Sequence, residues 1–198
     1  KKSAKISPPM KLLRPKLDQT IACQIRASIL FTGLLLARYG EIVFPYPGGC
    51  IIGERPIDFF LKGFTEMGAT VTNQDNQHLI RAPQGGLRGA TIFFKNQSVT
   101  ATETFLMAGL LAGGETVLKN CALEPEIVNL AEFLKSAGGK ISGLGTTTLT
   151  IQGGSLLKTK KSYPILPDRI EAGSFAILGA LLASELTLTH CEPEHLEA

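Results

Sequence analysis

The chain has 198 residues, 44% of them hydrophobic and 19% charged, with a formal net charge of +3. That composition excludes wholesale disorder, and so mild a charge excludes the basic density of a nucleic-acid binder while suiting a small anionic ligand. Apolar runs such as 29–37 are interrupted by Thr32 and Gly33 and stopped by Arg38, too short to cross a bilayer.

Residues 1–19 carry Lys1, Lys2, Lys5, Lys11, Arg14 and Lys16 among prolines and read as a solvated, partly extended arm. Residues 26–38 form an apolar helix-like segment closed by Gly40-Glu41, and Ile42–Phe44 is a strand candidate. After a loop, an amphipathic helix is expected over Pro56–Met67, closed by Gly68 and followed by Thr70–Thr72. Strand candidates follow at Leu79–Arg81 and Ala90–Phe94.

The same order then returns. Thr102–Ala112 is helix-like, Gly113-Gly114-Glu115 closes it, and Thr116–Leu118 is a strand candidate. Pro125–Ala137 reads as a second amphipathic helix, closed by Gly138 and followed by Lys140–Ser142 and Leu149–Ile151. A third copy begins at Ile170-Glu171, runs through Leu182 and enters a strand candidate at Leu186–Leu188. The copies are offset by about 70 to 74 residues, longer than the usual solenoid repeats. A single such unit buries little core alone and needs neighbours. An α/β (α+β) fold of repeated units is therefore expected, and the chain reads as a piece of something longer.

Cys23, Cys50, Cys121 and Cys191 are widely separated, with no CxxC pair, so no zinc knuckle or redox motif is indicated, and reduced thiols in the cytoplasm are expected. His190, Cys191, Glu194 and His195 cluster without a ligand spacing. No metal and no cofactor are expected. His78 reads as an exposed residue of a polar turn.

The two full copies differ in one loop. The second uses Lys119–Glu124; the first uses the longer, glycine-rich Pro45–Pro56, with Gly48, Gly49 and Gly53 beside rigid elements, a composition suited to a mobile lid. Cys50 lies between a glycine pair and Ile51-Ile52, and Arg55 is near enough in sequence to tune its thiol. Pro56 suits a first helical turn, where backbone N–H groups and Arg55 offer an anion site. Asp58 reads equally as a partner of the helix dipole and as a ligand contact. Arg26 reads by itself as an exposed charge at a helix start.

Five stretches carry a resemblance: RASILFTGLLLAR, PGGC-x-IG-x-RPID, SVTAT, EPEIVNLAEFLKSAG and LPDRIEAGSF. Together they resemble the UDP-N-acetylglucosamine enolpyruvyl transferases, from about Arg26 to the end of the chain. The resemblance implies two globular halves of βαβαββ units in an inside-out α/β barrel, with residues 1–167 giving most of one half and 168–198 the start of the other. It implies transfer of the enolpyruvyl group of phosphoenolpyruvate to the 3′-hydroxyl of UDP-N-acetylglucosamine, the committed step of peptidoglycan synthesis in cell-wall growth and division.

Cys50 falls at the family's proton donor, the thiol that adds to phosphoenolpyruvate and is alkylated by fosfomycin. Arg26 and Arg55 fall at substrate contacts; Pro56, Ile57, Asp58 and Phe59 on a segment that holds the nucleotide; and Asn96, Gln97, Ser98 and Val99 on the second nucleotide-binding stretch. Asn96 stands where some members have lysine and Thr100 where glycine is usual, which puts phosphate neutralisation there in doubt, although Lys95 is adjacent. Asp168, Arg169 and Glu171 match a motif near the junction of the halves and read as structural. The family's base is expected outside this sequence, so the piece alone is expected to be inactive. The rival readings are a non-catalytic UDP-sugar-binding paralogue and, more weakly, an enolpyruvylshikimate synthase, which lacks the PGGC loop.

Overall fold

A computed structural model describes residues 17–48, 56–74, 77–154, 157–159, 162–183 and 185–197. A short α1 (Gln19–Ala22), N-capped by Asp18, precedes a 3₁₀ turn at Arg26–Ile29 that runs directly into α2 (Leu30–Tyr39). Gly40 ends α2 in the left-handed conformation, φ 77°, and so turns the chain into β1 (Glu41–Pro45). Next come α3 (Asp58–Glu66), β2 (Thr70–Gln74) and β3 (Gln77–Arg81). The second unit is β4 (Thr91–Phe93), α4 (Val99–Leu111), β5 (Glu115–Lys119), α5 (Pro125–Ser136), β6 (Lys140–Ser142) and β7 (Thr148–Gln152). It has the order βαβαββ.

Among the described residues the strands form two sheets, ordered β1-β3-β2 and β4-β5-β7-β6. All pairs are antiparallel except β4 with β5. The repeat is visible in the hydrogen bonding. β4 lies parallel to β5, and in the corresponding place beside β1 the Leu17 N–H donates to the Val43 carbonyl at 3.1 Å.

The core lies between the sheets and the helices. α4 is apolar on all sides and buries Ala101, Phe105, Leu106, Ala108 and Leu110, as a central helix must. Phe105 packs against Phe64, Phe94 and Phe60, with ring centroids 5.0, 6.0 and 6.3 Å away. The two units meet where α2 crosses α4. A Cβ on Gly33 would fall 2.4 Å from the Thr104 carbonyl oxygen, so only glycine permits this separation.

Three expectations are corrected. Leu186–Leu188 forms no strand, because no described strand lies alongside to pair with its backbone groups. His78 is not exposed: it lies in β3 at 1% exposure, its Nδ1 2.7 Å from the Asn73 Oδ1 and its ring against Phe44 and Tyr46. Cross-strand registry places Phe44, His78 and Asn73 in one row, so the alternation of β3 turns the ring into the core. Pro56 does not open a helical turn, since α3 starts at Asp58 with Ile57 as its cap.

Beyond β7, Asp168 caps α6 (Arg169–Leu182), accepting from the Ile170 and Glu171 N–H groups at 2.9 and 3.0 Å. Arg169 grips Glu126 on α5 through two hydrogen bonds of 3.2 Å, and the Tyr163 hydroxyl donates to the Asn129 carbonyl. The structural role expected of Asp168 and Arg169 is thus visible. No helix among the described residues is long and apolar enough to cross a membrane.

Candidate functional site

A cavity of about 690 Å³ opens where three segments meet. The first α3 turn and the residue pair before it supply Pro56, Asp58 and Phe59. The β4–α4 loop and the start of α4 supply Lys95, Asn96, Gln97, Ser98 and Thr100. Arg26, at the 3₁₀ turn ahead of α2, completes the lining. These segments are far apart in sequence and are brought together by the packing of α2, α3 and α4.

Each wall has a local cause. The Ser98 side chain accepts from the Ala101 N–H at 3.2 Å and so caps α4, whose N-terminus, the positive end of a thirteen-residue helix, lies at the cavity wall. Gln97 donates its amide to the Cys121 carbonyl at 3.2 Å and fixes the loop against the exit of β5. Asp58 begins α3, where its carboxylate complements the helix dipole.

Charge is balanced toward an anion. Arg26 and Lys95 face the single carboxylate of Asp58 among the described lining residues. Lys95 is exposed and forms no ion pair among the described residues. An anionic ligand therefore meets a cation that no carboxylate among the described residues has to release.

Seven of the expected binding residues line the cavity: Arg26, Pro56, Asp58, Phe59, Asn96, Gln97 and Ser98. Arg26 is half-buried at the cavity wall, so its reading as an exposed helix-start charge is corrected. Two turn elsewhere. Ile57 is 5% exposed and belongs to the core, and Val99 packs against it, since each alternates with neighbours that face the cavity. Cys50 and Arg55 lie outside the described residues. So do Gly49 and Gly53 of the same loop.

Gly48 is described, and its role differs from the expected mobility. Its N–H donates to the Ala22 carbonyl at 3.3 Å, and a Cβ there would overlap the Cys23 carbonyl. This glycine is needed for close backbone approach.

Two titratable groups have shifts that the sequence reading leaves out: Glu103, which it does not single out, and His78, which it reads as exposed. Burial, with the Glu126 carboxylate nearby, raises the Glu103 carboxyl to about 7. Burial lowers the imidazole of His78, against the opposing pull of Asp58. A lone Glu on an apolar helix signals the first; nothing local signals the second. Burial also raises the Cys121 thiol to about 11, which makes it an inert core residue.

A family model described as EPSP synthase (3-phosphoshikimate 1-carboxyvinyltransferase) matches residues 1–198. The chain is 48% identical over 175 residues to a UDP-N-acetylglucosamine 1-carboxyvinyltransferase of Bdellovibrio bacteriovorus, covering 88% of this chain and 42% of that protein. Proteins of the same name from Koribacter versatilis and Nostoc sp. are each 46% identical, over 94% and 91% of this chain. The chain spans 41–42% of the length of these relatives. Among solved structures, the enolpyruvyl transferase NikO from Streptomyces tendae matches with a TM-score of 0.72 at 22% identity, over 87% of this chain and 40% of that one, a likeness of fold.

Proposed function

The chain belongs to the EPSP synthase family, and from that membership we propose that it is the nucleotide-holding part of an enzyme transferring enolpyruvyl from phosphoenolpyruvate to the 3′-hydroxyl of UDP-N-acetylglucosamine. The observation that carries the proposal is the cavity itself. Residues of the RPID and SVTAT stretches, far apart in sequence, line one cation-bearing pocket at a helix N-terminus.

In this reading residues 1–167 form most of one half and 168–198 begin the other. Cys50 supplies the proton to the methylene of phosphoenolpyruvate while the sugar oxygen attacks C2, a contribution of roughly 10²- to 10⁴-fold. Arg55 holds the anionic groups of the substrates beside it. The base that takes the sugar proton is assigned to sequence outside this chain, so these 198 residues alone bind but do not turn over. A cytoplasmic place in peptidoglycan synthesis, and inactivation by fosfomycin, follow from the same reading.

The test is phosphate release from the two substrates by the longer protein of which this chain is read as a piece, the parent, with and without Cys50→Ser. The proposal expects turnover and fosfomycin labelling in the parent, and loss of both in the variant. Absence of turnover together with tight UDP-N-acetylglucosamine binding would favour the binding-module reading, for which Asn96 at the cavity wall is the motive.

A further inference from the structure

His78 is a polar residue in a core position. It is 1% exposed, and its Nδ1 lies 2.7 Å from the Asn73 Oδ1. An acceptor there requires the proton on Nδ1, so Nε2 keeps a lone pair, and that buried atom finds no hydrogen-bond partner among the described residues. An apolar side chain would fill the same space without this cost. The fold carries the imidazole at one particular place: its partner across the sheet is Phe44, at the root of the Pro45–Pro56 loop.

Contacts at that root reach both ends of the loop. On the leaving side the Tyr46 ring meets the imidazole edge-on, with centroids 4.3 Å apart, and Phe44 packs on it at 5.2 Å. With half its surface in solvent, Tyr46 has little core to hold it, and the imidazole is its seat. The bond from the Gly48 N–H to the Ala22 carbonyl then pins the same limb. On the returning side, the Asp58 carboxylate at the start of α3 acts on the imidazole through space. Cys50 lies two residues beyond the pinned glycine.

Resting on the reading of Cys50 as the reactive thiol, we infer that His78 is a positioning residue for it: the neutral ring seats Tyr46 and so fixes the path on which the chain leaves β1 toward the thiol. The ring is faced by Phe44 and Tyr46 from β1 and its exit, by Asn73 from β2 and by Asp58 from α3. Gln77, beside it in β3, is tied to Gln19 of α1. Of these groups Asp58 alone is charged. A proton on Nε2 puts a charge under Tyr46 with an exposed carboxylate opposite, so the ring turns toward Asp58 and Tyr46 loses its seat.

Alkylation of the chain by N-ethylmaleimide between pH 7.5 and 5, with peptide masses resolving each cysteine, tests this. The Cys50 rate, relative to that of free cysteine, is expected to step below pH 6.5 by about two- to tenfold, the weight of one aromatic contact. His78→Phe keeps a ring under Tyr46 but takes up no proton, so its relative rate stays flat at the value of the unsubstituted chain at pH 7.5. Tyr46→Ala, at a half-exposed position, keeps the fold and loses the step as well. A flat profile in the unsubstituted chain overturns the inference, and so does a step that survives in His78→Phe. Labelling of the buried Cys121 in parallel with Cys50 would mark general unfolding and overturns it too. The rate is read without either substrate, so its failure is distinct from a failure of the transferase reading, which shows as turnover surviving Cys50→Ser.

Discussion

Gly33→Ala is the sharpest test of the packing that frames the cavity. In a free helix the change gains about 1 kcal/mol from propensity. Here the new Cβ would lie 2.4 Å from the Thr104 carbonyl oxygen, 2.9 Å from its Cγ2 and 3.1 Å from its carbonyl carbon. The carbonyl belongs to the α4 backbone and cannot rotate aside, so α2 and α4 must separate by the better part of an ångström. Overpacking of this kind costs about 1–3 kcal/mol, and separation also loosens the contacts along both helices. The net expectation is a destabilisation of about 1–2 kcal/mol, or about 2–8 °C in Tm for a chain of this size. Urea and thermal denaturation followed by circular dichroism measure it. Because Arg26 precedes α2 and Ser98 caps α4, ligand affinity should fall as well. A variant as stable as the parent, or more so, would refute the close approach and leave propensity as the stronger effect.

Glu103→Gln should stabilise the protein at pH 8 and leave it unchanged at pH 4. The folded carboxyl sits near 7 against 4.5 in the unfolded chain, so the stability tied to its proton is full below 4.5 and lost as pH rises through 7; unfolding titrations across that range read a gain of ~1–3 kcal/mol. His78→Phe should protect the fold against acid, because burial lowers the folded imidazole and the unfolded chain, with its ordinary value of 6.5, takes up the proton more readily as pH falls; the measurement is Tm between pH 7 and 5. Burial pushes the Glu126 carboxyl up, but the Arg169 hydrogen bonds, a backbone hydrogen bond and the Arg169 charge together lower it, so Glu126→Gln should cost about 0.5–1 kcal/mol at pH 7, a cost that disappears as pH falls through the folded value of the carboxyl. Lys95→Ala should weaken pyrophosphate binding and flatten its salt dependence, read by titration at two ionic strengths.

The sequence by itself determined the repeat, because helix and strand periods and glycine stops are local signals. Gly40 and Gly138 end their helices with positive φ where the sequence placed them, and the second copy follows the expected order of helices and strands. It also marked the two stretches that line the cavity. The tertiary structure alone decided which side chains of those stretches face it. Ile57 and Val99 turn to the core while Asp58, Phe59 and Ser98 do not, because helix phase is set by what α3 and α4 bury. The same holds for His78. A polar residue in a polar-looking turn becomes a core residue only once β3 lies between β1 and β2, and that pairing joins segments whose contact no local pattern encodes.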